Sequence, residues 1–387
     1  MIDVAIVGGG PAGLLAASHL AQAGLDVSVL EEHPKIGEPV HCTGIISLET
    51  AELAKISDDV VLGRLTRARL IGPHGAHTEQ AWPGLRTEPI LVIDRARFDA
   101  GLARQARAAG AEVRTGVRVL EVETVSDGVT LHAETERLSA RACVLACGVS
   151  YRLQRQLGLG LPGQAIHTAQ IELDAQPDDA VELRFGREVA PNGFVWTVPV
   201  MREGRPRLKV GAMATGNAGA CLESFLARPE VRARLLGEPT RPIRRLLPLK
   251  PIARTSLDRV LVVGDAGGFT KPTTGGGIFY SLLTASLAAA TLVEGFGQGR
   301  LDEAFLARYE RRWQDRLGAD LRTGDWLRQL VTRCSDAEID LLVRILAGED
   351  VQALIRRAGR FNWHRDLILA LVRQPRVTTL LFKTLFR

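Results

Sequence analysis

Apolar runs alternate with glycine-rich turns at the start of the chain. The apolar segment "DVAIV" (residues 3–7) is followed by "GGGPAG" (8–13), by "LLAASHLAQAG" (14–24) and by "DVSVLE" (26–31). Short uninterrupted apolar runs predict buried strands, whereas apolar positions at helical spacing, as in the third segment, predict a helix. We therefore predict a strand, a glycine turn, a helix and a second strand over residues 3–31.

The same alternation recurs in three later segments. "VIDRARFDAGLARQARAAGAEVRTGVRV" (92–119) predicts a short strand, a helix and a strand, and "ACVLACG" (142–148) predicts an apolar strand that ends in glycine. "VLVVGDAGGFTKPTTGGGI" (260–278) predicts a buried strand, a Gly-Asp pair, a proline loop and glycines that open a long helix. Residues 272–293 carry no charge but are rich in Gly, Thr, Ser and Ala, which favours a buried helix over a membrane span.

From Leu301 onward the pattern is Arg-rich and helical. Ser335 precedes an apolar-periodic segment and Glu338 follows three residues later, which predicts a capping box at the start of a helix. The last segment, "TTLLFKTLFR" (378–387), has an apolar face and lies among basic residues, namely Arg376, Lys383 and Arg387. It fits either a helix that rests on an anionic membrane surface or a helix packed on the core, and both stay open.

The composition is that of a globular protein. The chain has 387 residues, 46% of them hydrophobic, which is enough for a large core. Its 49 basic and 44 acidic residues are intermixed and leave a net charge of +5, so a dedicated nucleic-acid binder is not expected. Five cysteines without Cys-x-x-Cys spacing predict neither a metal site nor a disulfide framework, as is typical of a reducing cytoplasm. We expect no signal peptide and a cytoplasmic protein, with peripheral contact to the inner face of the membrane left open.

The glycines of the first turn have separable roles. Gly8 allows the tight turn, Gly10 lets the backbone approach a pyrophosphate, and Gly13 permits close packing of helix on strand. Glu31, at the end of the second strand, would accept hydrogen bonds from a ribose hydroxyl, which disfavours NADP and leaves FAD or NAD. A second match to the glycine pattern, at residues 158–163, lacks the strand before it and the helix after it. We therefore predict a loop there and one resident nucleotide.

Together these segments resemble the FAD-dependent para-hydroxybenzoate hydroxylase superfamily, and within it the geranylgeranyl reductase family. The resemblance covers roughly residues 1–295. It implies an α/β fold in which a Rossmann-type FAD-binding domain is interleaved with an antiparallel-sheet substrate domain and followed by a C-terminal helical region. The implied boundaries are 1–62, 88–150 and 258–298 for the FAD-binding domain, 63–87 and 151–257 for the substrate domain, and 299–387 for the helical region.

The resemblance also implies which residues hold FAD. The first turn and the second strand would hold the ADP half, Asp265 would bond the ribityl chain, and backbone N–H groups of the later glycine run would face the isoalloxazine. The implied set is Gly8, Gly10, Pro11, Ala12, Gly13, Glu31, Glu32, Arg95, Gly264, Asp265, Pro272, Gly275, Gly276, Gly277 and Ile278. Asp265 could also be a helix N-cap, a role compatible with flavin binding.

Two stretches point to the reductase family within the superfamily. "VHCTGIIS" (40–47) resembles the reductases' Cys-x-Gly segment, and "NGFVWTVP" (192–199) resembles their aromatic-x-Trp-x-Phe-Pro substrate motif. Phe194 stands where tyrosine is common and Val198 where phenylalanine is, which reshapes the pocket. The chain lacks the Trp-x-Trp-x-Ile-Pro element of flavin halogenases, which argues against halogenation. The implied substrate-binding residues are Cys42, Gly44, Phe194, Trp196 and Pro199.

Reduction of an isolated prenyl double bond sets a specific chemical requirement. Hydride from reduced flavin needs a proton delivered to the other alkene carbon, in a site that excludes water and oxygen. Trp196 and Phe194 are suited to line an apolar tunnel, and Cys42 is the candidate catalytic proton donor, because a thiol in apolar surroundings keeps its proton. Packing alone is the alternative for all three. His41 adjoins Cys42, but neighbouring side chains of an extended segment point apart, so we expect no Cys–His pair.

The sequence thus predicts an FAD-dependent reductase that saturates double bonds of a prenyl lipid or prenylated quinone. An FAD-dependent monooxygenase acting on an aromatic or lipid substrate is the alternative. A flavin-binding electron carrier is disfavoured, because it would leave the embedded substrate domain without a purpose. Since only one nucleotide fold is predicted, the electron donor would bind transiently, either as NAD(P)H or as a reduced protein partner.

Overall fold

The computed structural model describes residues 1–81 and 89–385. Residues 82–88, which fall at a predicted domain boundary, and Arg387 lie outside the described residues. The strands, numbered in chain order, are β1 (Ile2–Val7), β2 (Val27–Glu31), β3 (Ile45–Ile46), β4 (Val61–Leu65), β5 (Arg67–Ile71), β6 (His77–Ala81), β7 (Ile90–Ile93), β8 (Glu112–Thr115), β9 (Val119–Val125), β10 (Gly128–Ala133), β11 (Arg137–Leu145), β12 (Ala165–Asp174), β13 (Val181–Arg184), β14 (Phe194–Arg202), β15 (Arg205–Ala214), β16 (Ile243–Pro248), β17 (Ser256–Leu257) and β18 (Val260–Val262).

The observed elements confirm the predicted strand–turn–helix–strand unit over residues 3–31, and residues 158–163 form a loop, as predicted. Short 3₁₀ turns lie at Asp58–Val60 and Gly264–Gly267. The α-helices are α1 (Pro11–Gln22), α2 (Leu48–Ala54), α3 (Arg95–Ala108), α4 (Arg152–Gln156), α5 (Ala218–Leu226), α6 (Pro229–Arg232), α7 (Ile278–Gly297), α8 (Glu303–Val331), α9 (Asp336–Leu346), α10 (Glu349–Ala358), α11 (Arg365–Val372) and α12 (Pro375–Leu385).

The first sheet has parallel strands at its centre. Its order is β17-β18-β11-β1-β2-β8, with the β9–β10 hairpin attached to β11. Both faces are covered, in keeping with the four consecutive apolar residues Val4 to Val7 of β1, all of which are buried. Val4 and Ile6 pack in the same core cluster as residues of α1, α3 and α7, whereas Ala5 and Val7 pack with Leu131 on the other face. The N-termini of α1 and α7 are thereby brought to one end of the sheet.

The second sheet is antiparallel with one exception. Its order is β16-β12-β15-β14-β13-β5-β6, and β13 pairs with β5 in parallel. These two strands come from separate parts of the chain, so no hairpin forces them to run in opposite directions. Helix α5 covers one face, where Leu222 and Phe225 pack on Val210 and Ala212. The other face is left for the candidate site.

A small third sheet, in the order β3-β7-β4, lies between the two predicted domains. The boundary predicted at residues 62/63 falls inside β4, and that at 257/258 falls within the β17–β18 hairpin. We propose drawing the first boundary after Leu65, because a strand that completes a sheet belongs with its neighbours.

The C-terminal region is helical, as predicted. Ser335 and Glu338 form the predicted capping box at the start of α9. Val377, Leu380 and Leu381 of α12 are buried in a cluster with α9 and α10, so this helix uses apolar residues for packing. Among the described helices, α7 alone is long and apolar enough to cross a membrane; 61% of its apolar window is buried in the protein, in keeping with the predicted core helix.

Candidate functional site

Close backbone contacts build the first glycine turn. Gly8 has a φ of +110°, and a Cβ there would lie 2.4 Å from the carbonyl oxygen of Ala146. A Cβ on Gly13 would lie 2.0 Å from the carbonyl oxygen of Gly8, because α1 packs directly on β1. Gly10 differs, since no atom of the described residues lies within 4 Å of where its Cβ would be. This side of Gly10 is therefore open to a ligand, at a helix start whose N–H groups lack intrahelical partners.

Glu31 faces this turn and Glu32 does not. The Glu31 carboxylate accepts hydrogen bonds from the N–H of Gly9 at 2.6 Å and from the N–H of His33 at 2.9 Å. The carboxylate of Glu32 pairs instead with Arg118, at 3.2 Å from its Nε. Glu31 is the last residue of β2, and the chain bends at Glu32, which directs the second carboxylate away from the turn. We propose a cofactor role for Glu31 alone.

The Gly264-Asp265 pair lies against the same turn. Gly264 has a φ of +62°, and a Cβ there would lie 3.1 Å from the Cβ of Ala12. The Asp265 side chain caps neither its own 3₁₀ turn nor α7, so the predicted N-cap role is wrong. Its Oδ1 would lie 3.0 Å from a Cβ on Gly277, which precedes α7. The Gly264-Asp265 pair thus lies between the start of α1 and the start of α7.

Asp265 fits the hydroxyl-rich ribityl chain of FAD. Among the described residues, no group donates a hydrogen bond to its carboxylate. Burial raises the pKa of Asp265 to about 6, against the opposing attraction of Arg95. The residue is partly exposed, so its carboxylate is accessible to a ligand, and ribityl hydroxyls would supply donors to it.

The loop at residues 271–277 closes on itself. The N–H of Gly275 donates to the Lys271 carbonyl oxygen at 2.8 Å, and the N–H of Lys271 donates to the Gly276 carbonyl oxygen at 3.1 Å. Pro272 packs on α8, where a Cβ on Gly324 would lie 3.3 Å from its Cδ. Ile278 then begins α7. The backbone N–H groups at this helix start are the donors that an isoalloxazine site needs.

The sequence-based prediction of apolar surroundings for Cys42 is wrong. The Arg95 guanidinium and the Lys209 ammonium are both close enough to attract negative charge on its sulfur. Arg95 is also paired with Asp99 at 3.1 and 2.9 Å; burial lowers the pKa of Arg95, but Asp99 and Cys42 outweigh burial and raise it. Lys209 donates to the Thr43 carbonyl oxygen at 2.8 Å, and burial lowers its pKa. Both cations come from elements distant in sequence.

Thr43 joins the Cys-x-Gly segment to the tryptophan motif. The indole Nε1 of Trp196 donates to Thr43 Oγ1 at 2.9 Å, and Thr43 Oγ1 donates to Gln170 Oε1 at 3.1 Å. Trp196 lies across Gly211 of β15, where a Cβ would come within 2.1 Å of the indole ring. Gly44 has a φ of +80°, and a Cβ there would lie 2.5 Å from a carbonyl oxygen of β7. The Cys-x-Gly segment and the tryptophan motif, which only the family resemblance had connected, are therefore in contact.

An apolar wall on the second sheet faces the 271–277 loop. A Cβ on Gly275 would lie 2.5 Å from a methyl group of Leu247 and 3.5 Å from the sulfur of Met213. The rings of Phe194 and Trp196 meet edge to face, with centroids 5.8 Å apart. The wall consists of Ile166, Phe194, Trp196, Met213, Leu247 and Leu249. Candidate substrate residues and the candidate flavin loop thus meet here.

Pro199 and His41 lie outside this arrangement. Side chains alternate along β14, so Pro199 lies on the face opposite Trp196, paired with Leu208 in register. Leu208 belongs to the core under α5, and we propose a packing role for Pro199 in place of substrate contact. The His41 ring Nδ1 lies 2.9 Å from the Pro39 carbonyl oxygen, so the ring is engaged within its own segment.

Three features of the site were missed at the sequence level. Lys209 was signalled only by being the single charge in "LKVGAMA" (208–214), and Gln170 had no distinguishing signal among the other polar residues of β12. The third feature is the loop at residues 359–364, where the Phe361 carbonyl oxygen accepts a hydrogen bond from Lys271 Nζ at 2.6 Å. Nothing in its local sequence predicts contact with a loop ninety residues earlier.

Comparison with known proteins identifies the family. A family model described as lycopene cyclase protein matches residues 3–331. A digeranylgeranylglycerophospholipid reductase from Methanothermobacter thermautotrophicus is 32% identical over 374 residues, which is 91% of this chain and 93% of that protein. The chain belongs to the geranylgeranyl reductase family of FAD-dependent oxidoreductases.

Solved structures agree with this reductase family in fold. A geranylgeranyl bacteriochlorophyll reductase-like protein from Thermoplasma acidophilum superposes with a TM-score of 0.86 at 22% identity, covering 99% of both chains. A halogenase in complex with FAD superposes with a TM-score of 0.68 at 16% identity, covering 98% of this chain and 88% of that one. The predicted fold class of this reductase is confirmed.

Proposed function

We propose that this protein is an FAD-dependent reductase that saturates carbon–carbon double bonds of a prenyl lipid or prenylated quinone. The observation that carries the proposal is the 2.9 Å hydrogen bond from Trp196 to Thr43, which joins the cysteine segment to the aromatic motif. The apolar wall lies beside this bond and against the 271–277 loop. An apolar surface next to a candidate proton donor is what reduction of an unactivated alkene requires.

FAD would be held between the N-termini of α1 and α7. Gly10 leaves room for the pyrophosphate, Glu31 would bond the ribose, and Asp265 would accept hydrogen bonds from the ribityl chain. When bound, FAD supplies the hydride for the reaction. A halogenase of the same fold was solved with FAD, which supports FAD over NAD as the resident nucleotide.

Cys42 is the proposed source of the proton. If its thiol delivers a proton to the alkene, the sulfur is left as an anion beside Arg95 and Lys209. Positive charges close by stabilise such an anion, so the two cations favour transfer of the proton from the sulfur to the alkene. The surroundings of Cys42 therefore support a proton-donating role because they stabilise the thiolate that is left, and not because apolar burial keeps the thiol protonated.

A polyprenyl lipid is the substrate class that the comparisons favour. The Methanothermobacter relative is named for a digeranylgeranylglycerophospholipid, and the chain covers 93% of its length. We propose a lipid with geranylgeranyl-type chains, whose hydrocarbon would lie against the partly exposed side chains of the wall, Phe194, Trp196 and Leu247.

An anaerobic product analysis tests the reaction type. Dithionite-reduced, FAD-loaded protein is mixed with a geranylgeranyl lipid, and products are analysed by mass spectrometry. We expect products heavier by two hydrogens for each bond reduced. Products that need oxygen and contain an added oxygen atom would establish the monooxygenase alternative, and products of unchanged mass would indicate cyclisation.

Two matched tryptophan variants test the substrate site. Trp196→Phe removes the indole N–H that donates to Thr43, whereas Trp313→Phe removes an indole N–H that donates to Thr255 at 2.8 Å in the core. Both should lose about 1 kcal/mol of stability. Only Trp196→Phe should weaken prenyl-lipid binding, measured as perturbation of the bound flavin spectrum. Equal effects on lipid binding would contradict the proposed site.

The electron donor and membrane contact are also proposals. We propose that NAD(P)H or a reduced protein carrier delivers electrons transiently, which stopped-flow reduction of the flavin by each donor would distinguish. We propose a cytoplasmic protein that contacts the membrane peripherally. Since α12 uses its apolar residues for packing, that contact would rest on Arg376 and Lys383 and should weaken with salt in vesicle sedimentation.

A further inference from the structure

A lysine is buried inside the proposed flavin loop. Lys271 is only 4% exposed, and its Nζ would lie 3.7 Å from a Cβ on Gly276. The backbone of the same residue closes the loop through the bonds to Gly275 and Gly276. The ammonium therefore lies against the backbone that the isoalloxazine would contact.

The C-terminal loop at residues 359–364 holds this ammonium. Lys271 Nζ donates to the Phe361 carbonyl oxygen at 2.6 Å, lies 3.4 Å from Asn362 Oδ1, and sits 4.3 Å from the centroid of the Phe361 ring. Asn362 in turn donates to Ser47 Oγ at 2.7 Å and to Glu49 Oε2 at 2.8 Å, at the start of α2. A backbone carbonyl oxygen, a side-chain amide oxygen and an aromatic ring face together form a binding site for the ammonium group.

The charged groups around Lys271 differ in sign. Glu49 on α2 and Asp320 on α8 attract the ammonium, while burial acts against it and lowers the pKa of Lys271 to about 7. His364 is on the same C-terminal loop; burial and the nearby Lys271 lower its pKa to about 3, so it carries no charge at neutral pH. Tyr280 of α7 contributes a neutral hydroxyl. Lys271 is thus a cation held on the inside of the loop, and the Arg328 guanidinium of α8 is a second one, 3.3 Å from the Pro272 carbonyl oxygen.

We propose that Lys271 tunes the flavin, raising the reduction potential of bound FAD by holding a positive charge against the loop that carries the isoalloxazine. Two-electron reduction leaves negative charge on the ring, and a protonated Lys271 in a site of low dielectric stabilises that charge, so the effect is largest below about pH 7. The inference rests on FAD occupying the proposed site. The C-terminal region would thereby act on the chemistry of a cofactor bound by the N-terminal part of the chain.

Spectroelectrochemical titration of the FAD-loaded, full-length protein tests this inference. Lys271→Gln keeps an N–H donor but removes the charge, and should lower the equilibrium constant for two-electron reduction about tenfold, equivalent to a potential about 30 mV lower. Lys271→Arg keeps the charge and should stay within about threefold of wild type. Glu49→Gln also removes an attraction that keeps Lys271 protonated, so it is measured at about pH 5.5, where Lys271 holds its proton. There the loss of an opposing charge should raise the potential, while an acceptor for Asn362 is kept. Lys55→Gln, at the exposed C-terminal end of α2, is the matched control and should have no effect.

Each outcome decides the inference. If the equilibrium constant for reduction in Lys271→Gln lies within about twofold of wild type, the charge of Lys271 is not responsible. Equal shifts in potential for the Gln and Arg variants would show the same. If Lys271→Gln cannot retain FAD, the sign of the Glu49→Gln shift decides, and a shift downward or no shift overturns the inference. A wild-type protein that binds no FAD would instead defeat the proposed function.

Discussion

The thiol of Cys42 shows how neighbouring charges change the meaning of a residue. Its sequence neighbours are apolar or neutral, yet the cationic side chains of Arg95 and Lys209 lie close enough to attract negative charge on its sulfur. A cysteine used only for packing has no need of two cations, which are costly to bury. The surroundings therefore favour a chemical role for the sulfur over a purely steric one.

Replacing Cys42 measures that role. Cys42→Ala should leave FAD binding and flavin reduction intact while slowing alkene reduction about 100-fold, within the range typical of general acids. Cys42→Ser should retain more activity, because a hydroxyl can still order a water. The measurement is single-turnover oxidation of reduced flavin by substrate, with Cys221→Ala on α5 as the control. A rate in Cys42→Ala equal to that of the control would show that the proton comes from another donor.

Asp265 predicts a pH dependence of stability. Its pKa in the folded apo-protein is raised to about 6 by burial. A raised pKa means that the folded state favours the neutral acid, so the associated stability is present below about pH 4 and is lost as the pH rises through about 6. Asp265→Asn stays neutral, and the apo variant should exceed wild type by about 2 kcal/mol at pH 7 but not at pH 4.

Urea unfolding of the two apo-proteins across this pH range is the measurement. The same substitution should weaken FAD binding, because an amide replaces the acceptor proposed for the ribityl chain. Parallel stability profiles for wild type and Asp265→Asn would mean that the acid is solvated in the apo-protein.

At the scale of elements, the β1–turn–α1 unit uses glycine for two different reasons. Gly13 is required by packing, since its missing Cβ leaves space for the Gly8 carbonyl oxygen. Gly10 is not required by any contact within the described part of the protein. We propose that Gly10 is needed for a ligand and not for packing, which is a distinction that the sequence pattern alone cannot make.

Two valine substitutions separate these reasons. Gly10→Val should fold with stability close to wild type and bind no FAD, because its side chain enters the space proposed for the pyrophosphate. Gly13→Val should lose several kcal/mol or fail to fold, because the added atoms overlap with the backbone of β1. Thermal unfolding and flavin absorbance of purified protein report on both. FAD retention by Gly10→Val would contradict the assigned site.

At the scale of the whole molecule, α8 joins the flavin loop to the substrate sheet. Arg328 donates to the Pro272 carbonyl oxygen at 3.3 Å and to the Asn192 carbonyl oxygen at 2.9 Å. The helix also contributes Asp325, which pairs with Lys250 at 2.9 Å. The relative position of loop and apolar wall therefore depends on a helix that belongs to neither.

Removing the Arg328 bridge should affect stability and cofactor binding together. Arg328→Met loses two hydrogen bonds from a charged donor, and we expect a loss of about 2 to 3 kcal/mol and about tenfold weaker FAD binding. Arg333→Met, an exposed arginine just beyond α8, should change neither. Equilibrium unfolding and FAD titration measure the two effects. FAD affinity unchanged in Arg328→Met would show that the loop holds its position without the bridge.

Local patterns in the sequence determined the nucleotide fold. Glycine spacing, apolar strands and the Ser335–Glu338 capping box act over a few residues, so their outcomes can be predicted from neighbours alone. The same holds for Phe194 and Trp196, whose shared strand face follows from their spacing of two. That periodicity also separates Trp196 from Pro199.

Tertiary structure alone decided the charges in the site. Lys209 reaches Cys42 from β15, and Lys271 meets Phe361 across ninety residues. A pKa, a hydrogen-bond partner or the identity of a cavity wall depends on which distant segments the fold brings within a few ångströms, and no local pattern encodes that choice. The sequence by itself therefore determined the elements and the candidate chemistry, whereas the packing of distant segments decided which side chains share the site.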